Sequence, residues 1–259
     1  MCRLLGIPRS SYYYKAADLV AESELEASVE KIFLEFQKRY GARKIKQKLE
    51  QEGVTVSRRR IRRVMKRLNL VSLYQEAAFK PYSKGKNEAP IPNHLDRQFD
   101  AKNPLEAIVT DLTYVRVKNR WAYVCFIIDL YNREIIGLSV GWHKTAELVK
   151  QAIQSIPYAL TKVNLFHSDR GKEFDNQLID EMLEAFDITR SLSQAGCPYD
   201  NAVAESTYRA FKIEFINQES FRTLEELAAK TRDYVHWWNY HRIHGSLNYQ
   251  TPMAIRLIA

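Results

Sequence analysis

The sequence predicts an α/β chain: a mixed five-stranded sheet flanked by helices, preceded by an all-helical region. Three observations predict it. Residues 22–70 carry helical spacing only. Residues 76–104 lose all periodicity. From residue 105 onward, strand and helix patterns follow in the order β-β-β-α-β-α-β-α, with further helices behind them. The expected boundaries are therefore 1–75 for the helical region, 76–104 for a linker and 105–259 for the part built on the sheet.

In the helical region, Leu25, Val29, Ile32 and Phe33 fall on one helix face. Gly41 is expected to end that helix, and Ile45 and Leu49 form the apolar stripe of a second. After the turn EGVTVS, Ser57 stands where it can cap a third helix with Ile61, Val64, Met65 and Leu68 on its buried face. The other face of that helix holds Arg58, Arg59, Arg60, Arg62, Arg63, Lys66 and Arg67, seven cations in ten residues. A helix, a short turn containing glycine and a strongly basic helix make a helix-turn-helix pattern, whose second helix meets DNA phosphates and base edges. A solvated basic face is the plainer alternative. Further upstream, CRLLGIPRSSYYY reads as the end of one helix, a turn at Gly6–Pro8 and the start of another. A simple helical hairpin accounts for it, and so does one reading frame of a two-frame protein.

Charge follows the same division. The net charge is +8, yet residues 1–90 hold 20 Lys and Arg against 10 Asp and Glu, while the rest hold 19 against 21. A polyanionic partner is expected for the basic third. Cys2, Cys125 and Cys197 are too few and scattered for a disulfide framework, and no C-x-x-C pair suggests zinc. No apolar run approaches the roughly 18 residues of a membrane span. The apolar part of the N-terminus is too short for a signal peptide, so a cytoplasmic location is expected.

The linker is marked by Lys80, Pro81, Ser83, Gly85, Pro90, Pro92 and Pro104. Beyond it, AIVTDLTYVRV (107–117) reads as a strand rich in Val, Ile, Thr and Tyr, with a turn at Lys118–Asn119. A second strand over 120–131 and a third over 134–142 flank the Asn132–Arg133 turn, giving an antiparallel meander. A helix follows with Ala146, Val149, Ile153 and Ile156 inward. VNLFHS (163–168) is a short buried strand, 175–187 a helix, ITRSL a fifth strand, and DNAVAESTYRAFKIEF a helix starting near Asp200. This order resembles a ribonuclease-H-like fold.

Asp111 lies on the first of these strands, Asp169 at the end of the fourth, and Glu205 on the later helix. In such a fold the first and fourth strands are neighbours, so the two aspartates converge and the helix brings the glutamate against them. Singly, each has an ordinary reading: a strand-end aspartate, a turn residue, a solvated helix glutamate. Together, three clustered carboxylates raise each other's pKa unless a cation neutralises them. Oxygen-only ligands select hard ions, chiefly Mg²⁺ or Mn²⁺.

These segments resemble a known family. TDLTYV with Asp111, the Tyr123–Asp129 strand before Asn132–Arg133, FHSDRG with Asp169, DNAVAES with Glu205, and the tail WWNYHRIHGSLNYQTP look like the second-frame (OrfB) transposase of bacterial insertion sequences of the IS-three family, in the DDE integrase superfamily. YGARKIKQKL and VSRRRIRRVMKRLNL match its N-terminal part, so the resemblance spans nearly the whole chain. Ala107 departs from the family's usual tryptophan, as do Lys172, Glu173 and Phe174 from a Ser-Gln-Tyr run, and Gln194, Ala195 and Cys197 alter the loop before Asp200.

The resemblance implies cleavage at the element's terminal repeats followed by strand transfer, without a covalent enzyme intermediate. Its expected chemistry is two-metal phosphoryl transfer, with Asp111 bridging two ions and Asp169 and Glu205 each holding one. Lys212, two turns past Glu205 on nearly the same face, is a candidate contact to terminal DNA, or else a surface lysine. Asn201 is expected to cap the Glu205 helix. Double-stranded DNA is the expected partner, with a homo-oligomer on it, an upstream-frame (OrfA) partner or fusion, and a nucleoid-associated location. Asp129 is a weaker candidate ligand, Asp200 and Glu173 are expected to be supporting or solvated, and His241 and His244 are taken as packing or DNA contacts rather than a metal pair. Trp237 and Trp238 are read as core or interface rather than base-stacking platforms. Two rival classes remain: a metal-dependent nuclease that only hydrolyses, and a non-catalytic DNA-binding repressor.

Overall fold

A computed structural model of the chain describes Pro8, residues 22–76 and residues 91–259. These divide into two compact units at Glu76–Ala77. Apart from Pro8, the expected turn at Gly6–Pro8 and its flanking helices, and residues 77–90 of the expected linker, lie outside the described residues.

The first unit holds α1 (Glu22–Glu35), α2 (Ala42–Gln51) and α3 (Arg58–Arg67). Leu25, Val29, Ile32 and Phe33 of α1 meet Ile45 and Leu49 of α2 and Ile61, Val64 and Met65 of α3 in one small core. Ser57 caps α3 by accepting from the Arg60 N–H at 3.3 Å. The first helix ends before Gly41. Gln37 and Lys38 turn the chain through left-handed conformations, which lets Phe36 and Tyr40 stack at 4.2 Å and both be buried. Gly41 instead stands at the N-cap of α2.

The second unit is built on β1 (Ala107–Val117), β2 (Arg120–Asp129), β3 (Ile135–Gly141), β4 (Leu165–Ser168) and β5 (Thr189–Leu192). They form one sheet in the order β3-β2-β1-β4-β5. β1–β2 and β2–β3 are antiparallel, while β1–β4 and β4–β5 are parallel. This is the ribonuclease-H-like arrangement. Lys118, at φ 47°, makes the two-residue turn between β1 and β2. Successive side chains alternate between two covered faces. One face carries Val109, Val115, Val124, Phe126 and Ile128 against Tyr208 and Phe211 of α6 (Ala202–Glu214) and Tyr234 and Trp238 of α7 (Leu224–Tyr240). The other carries Ile108, Cys125, Ile127 and Phe166 against α4 (Ala146–Gln154) and α5 (Gln177–Ala185). A Cβ on Gly137 would lie 2.6 Å from the Ala152 carbonyl oxygen, so its absence lets α4 settle on β3.

Two buried polar joints hold the outer helices. Arg242 pairs with Glu214 at 2.8 Å and stacks on Trp238, fixing the end of α6 to the end of α7. Arg256 of α8 (Pro252–Arg256) reaches Asp129 and Glu134, each at 2.7 Å. Residues 91–104, expected as the second half of a linker, are bound to the sheet. The His94 and Leu95 N–H groups donate to Ser191 Oγ at 2.9 and 3.2 Å, and Leu95 is buried. Among the described residues no helix is long and apolar enough to cross a membrane.

Candidate active site

Asp111 and Asp169 owe their placement to strand register. Val109 of β1 pairs with His167 of β4 in parallel. Two residues further along each chain stand Asp111, on the sheet face that α6 covers because alternate residues share a face, and Asp169, one residue past the end of β4. The Asp169 side chain accepts from the Gly171 N–H at 2.9 Å, a tight turn that ends β4. A Cβ on Gly171 would meet the Glu173 carboxylate, which would have to move to admit it. Asp111 Oδ1 accepts from the Leu112 N–H at 2.7 Å, and Asp111 is half-buried.

Glu205 sits exposed in the first turn of α6. Two contacts fix that helix to β1 beside Asp111. Asn201 Nδ2 donates to the Thr110 carbonyl at 3.0 Å. Three residues past Glu205, Tyr208 places its hydroxyl between β1 and β2: it accepts from the Phe126 N–H at 2.6 Å and donates to the Asp111 carbonyl at 2.5 Å. Asp111 and Phe126 are the paired residues of that ladder. Asn201 thus stands at the N-cap position but makes no side-chain cap bond. At φ −119°, ψ 34° its backbone is not in the extended capping conformation, and its side chain serves β1 instead. Its Oδ1 is buried without a hydrogen-bond partner.

Lys212, seven residues past Glu205 on α6, lies 4.5 Å above the Tyr114 ring. Partial burial lowers its pKa, while the charge of Asp111 acts against that shift. His167, on β4, bonds Ser191 Oγ at 2.8 Å and Ser193 Oγ at 3.1 Å, and burial lowers its pKa to about 4. It is a neutral spacer in the wall beneath Asp169. Burial likewise pushes the Cys125 thiol up to about 12. Asp111 is thus set beside the helix of Glu205, and Asp169 follows β4, the strand parallel to β1. Among the described residues, however, no three His, Cys, Asp or Glu side chains are gathered closely enough to form a metal cage.

The other acidic and aromatic residues have structural employment. Asp129 accepts from the Leu105 and Tyr131 N–H groups at 3.0 Å each and pairs with Arg256, at the start of β1. Asp200 is buried, held by Arg97 at 2.7 Å and by the Gln194 N–H at 2.9 Å. Glu173 is buried and paired with Lys144 at 2.6 Å. His241 and His244 both lie beyond the end of α7, and His244 packs on Trp238. Tyr208, Arg97 and His167 carry positioning roles that the sequence did not single out. The signal for Tyr208 was its place three residues past Glu205, on the same helix face.

In the first unit, Arg58, Arg59, Arg62, Arg63 and Lys66 project exposed from α3. Arg60 and Arg67 each reach Glu22 of α1 at 2.8 Å, and Arg67 also pairs with Glu26.

The chain matches the integrase core domain over residues 101–198, a second integrase core domain description over 186–252, and an HTH-like domain over 20–78. A transposase assigned to insertion sequence element IS150 of Escherichia coli K12 is 29% identical, over 99% of this chain and 92% of its own length. The transposase for insertion sequence element IS904 of Lactococcus lactis is 28% identical, over 88% of this chain and 91% of its own. Among solved structures, the HTLV-2 integrase catalytic core domain in complex with magnesium overlays 59% of this chain and 96% of its own, with TM-score 0.43 and 16% identity. With the two integrase-core descriptions spanning residues 101–252 behind an HTH-like unit, the chain belongs to the integrase-core family and is a DNA transposase of the insertion-sequence type.

Proposed function

We propose that this transposase cuts the ends of its own insertion element and joins them to target DNA, with Asp111, Asp169 and Glu205 as the catalytic residues. The observation that supports the reading is the parallel register of β1 and β4: Asp111 and Asp169 each follow the Val109–His167 pair by two residues, and Asn201 ties the foot of the Glu205 helix to Thr110 beside Asp111. The donor set is carboxylate oxygen only, which suits hard divalent ions, Mg²⁺ or Mn²⁺, and a pair of them. The unpartnered Oδ1 of Asn201, one residue's reach from Asp111, adds an oxygen acceptor suited to a metal-bound water. Bound divalent ions would supply charge neutralisation at the scissile phosphate and at the attacking and leaving oxygens.

The chain's own residues do the rest. Tyr208 and Asn201 hold β1 and the Glu205 helix in fixed relation. Lys212 offers a cation to the DNA backbone next to Asp111. In the first step water attacks the phosphorus at the element end and releases a 3′-hydroxyl. In the second that hydroxyl attacks a target phosphodiester, so one P–O bond forms for each that breaks.

Residues 1–76 act as the DNA-binding unit, with Arg58, Arg59, Arg62, Arg63 and Lys66 facing phosphate. Joining two ends calls for at least a dimer on DNA, and an upstream-frame product is the further partner in this reading. The location is the bacterial nucleoid. A strand-transfer assay with labelled element ends and Mg²⁺ is the test. Joined product is expected; cleavage without joining would leave a nuclease, and binding alone a repressor. Asp111→Asn, Asp169→Asn and Glu205→Gln should each abolish both steps and keep DNA binding. Full activity in any of the three removes that residue from the assignment.

A further inference from the structure

β1 is covered on its β4 side only at Ala107–Val109. The next backbone pairing on β1 outside the β2 ladder, among the described residues, is the bridge from Val117 to Phe221. A cleft of about 310 Å³ opens along the stretch between, beginning three residues past Asp111. That volume is at the lower end of the roughly 300–1,000 Å³ that small-ligand sites occupy. Its walls include Tyr114, Arg116, Trp121, Lys212 and Phe221.

The lining is unusual for a surface. Tyr114 and Trp121 are 56% and 48% exposed, although both are large aromatics. Their rings meet edge to face at 5.1 Å. Each ring carries a cation: Lys212 above Tyr114 at 4.5 Å, and Arg116 above Trp121 at 5.1 Å. The acid in the wall, Glu219, is paired with Lys230 at 2.7 Å, so the cleft presents aromatic faces and positive charge. Lys212 belongs both to this cleft and to the field of Asp111. Aromatic faces beside backbone-binding cations are the chemistry that takes unpaired nucleobases, since every base has a π-face and every nucleotide a phosphate.

We infer that this cleft is a nucleobase subsite that receives one unpaired nucleotide of the element end while the neighbouring phosphate lies at Asp111. The inference rests on the catalytic reading above and deepens it. Opening the terminal base pair frees a base to stack on Tyr114 and Trp121. Lys212 and Arg116, which cover the ring faces in the free chain, then turn to the phosphates on either side. Unpairing is costly in a duplex, and the subsite offsets that cost next to the bond to be cut.

The test uses the full chain with duplexes taken from the ends of its own element. Tyr114→Ala and Trp121→Ala should slow cleavage of fully paired ends about tenfold or more. Ends with the terminal pairs mismatched should restore most of the rate, while Tyr114→Phe should stay near the parent. Asp111→Asn should gain nothing from mismatches, which separates loss of chemistry from loss of the subsite. A second measurement needs no turnover: a photoreactive thymine at each terminal position, in the Glu205→Gln chain, should cross-link to Tyr114 or Trp121. Parent-like cleavage of paired ends by both alanine variants would overturn the inference, as would equal slowing on paired and mismatched ends. If no chain cleaves, the catalytic reading has failed and the cross-link alone decides: adducts on these two residues uphold the subsite, and adducts only elsewhere overturn it.

Discussion

The hydroxyl of Tyr208 donates to the backbone carbonyl of Asp111 at 2.5 Å while accepting from the Phe126 N–H at 2.6 Å. A helix side chain thus stands between two strands at the residue proposed to hold metal. Tyr208→Phe keeps the ring stack on Phe126 but leaves a buried donor and acceptor with their partner removed. The expected loss of stability is about 1–3 kcal/mol. Cleavage should fall about tenfold, corresponding to about 1.4 kcal/mol in barrier, because Asp111 and Glu205 lose their common reference. Urea denaturation together with single-turnover cleavage checks both. A variant that loses stability yet keeps the parent rate would confine Tyr208 to folding.

The buried pair of Glu214 and Arg242 invites a stability test away from the chemistry. Their side chains are 0% and 10% exposed, so removing one partner leaves an uncompensated charge. Arg242→Met should destabilise the second unit by about 3–5 kcal/mol. Replacing both, with Glu214→Leu beside it, should recover much of the loss. An undiminished unfolding midpoint in the single variant would show that the pair contributes little.

On α3, exposure divides the cations. Arg62→Ala and Arg63→Ala should each lower the slope of log affinity against log salt by about 0.9 if the side chain meets a phosphate. Arg60→Ala should change the slope less, because Arg60 already serves Glu22. Binding isotherms on one duplex between about 50 and 200 mM salt measure it. Equal slopes for Arg62, Arg63 and Arg60 variants would mean that the exposed cations do not single out the DNA face.

Thiol chemistry should separate two cysteines. Cys125 is buried, with a thiol pushed up to about 12, whereas Cys197 is partly exposed. Because the thiolate is the reactive form, an alkylating reagent at pH 8 should label Cys197 in minutes and Cys125 only after denaturation. Peptide mapping distinguishes them, and early labelling of Cys125 would indicate that the β2 region opens in the native chain.

Much of this architecture is legible in the sequence where burial imposes a period. Leu25, Val29, Ile32 and Phe33 declare their helix face, and the β1 and β2 boundaries follow from apolar runs broken at Lys118–Asn119. Asp111 and Asp169 stand out because each interrupts such a run. Positions set by tertiary contact leave no period to read. Residues 91–104 look like a linker because their order comes from Ser191 and Asp200, about a hundred residues away in sequence. Asn201 has the right place and residue type for a cap, yet its partner is a strand carbonyl that only the folded chain brings near. The division of α3 cations depends on where Glu22 lands, and that too is a matter of packing.

The anchorage of residues 91–97 has a mechanical consequence. Tension on the chain from the N-terminal side meets Arg170 at Ile91 and Leu192 at Pro92, then Ser191 and the Arg97–Asp200 pair, before it can reach β1. Force therefore enters the sheet at β5 and at the root of the helix carrying Glu205, not at the strand carrying Asp111. Because Asn201 and Tyr208 tie that helix to β1, a strain passed through residues 91–97 would bear on Glu205 and Asp111 together.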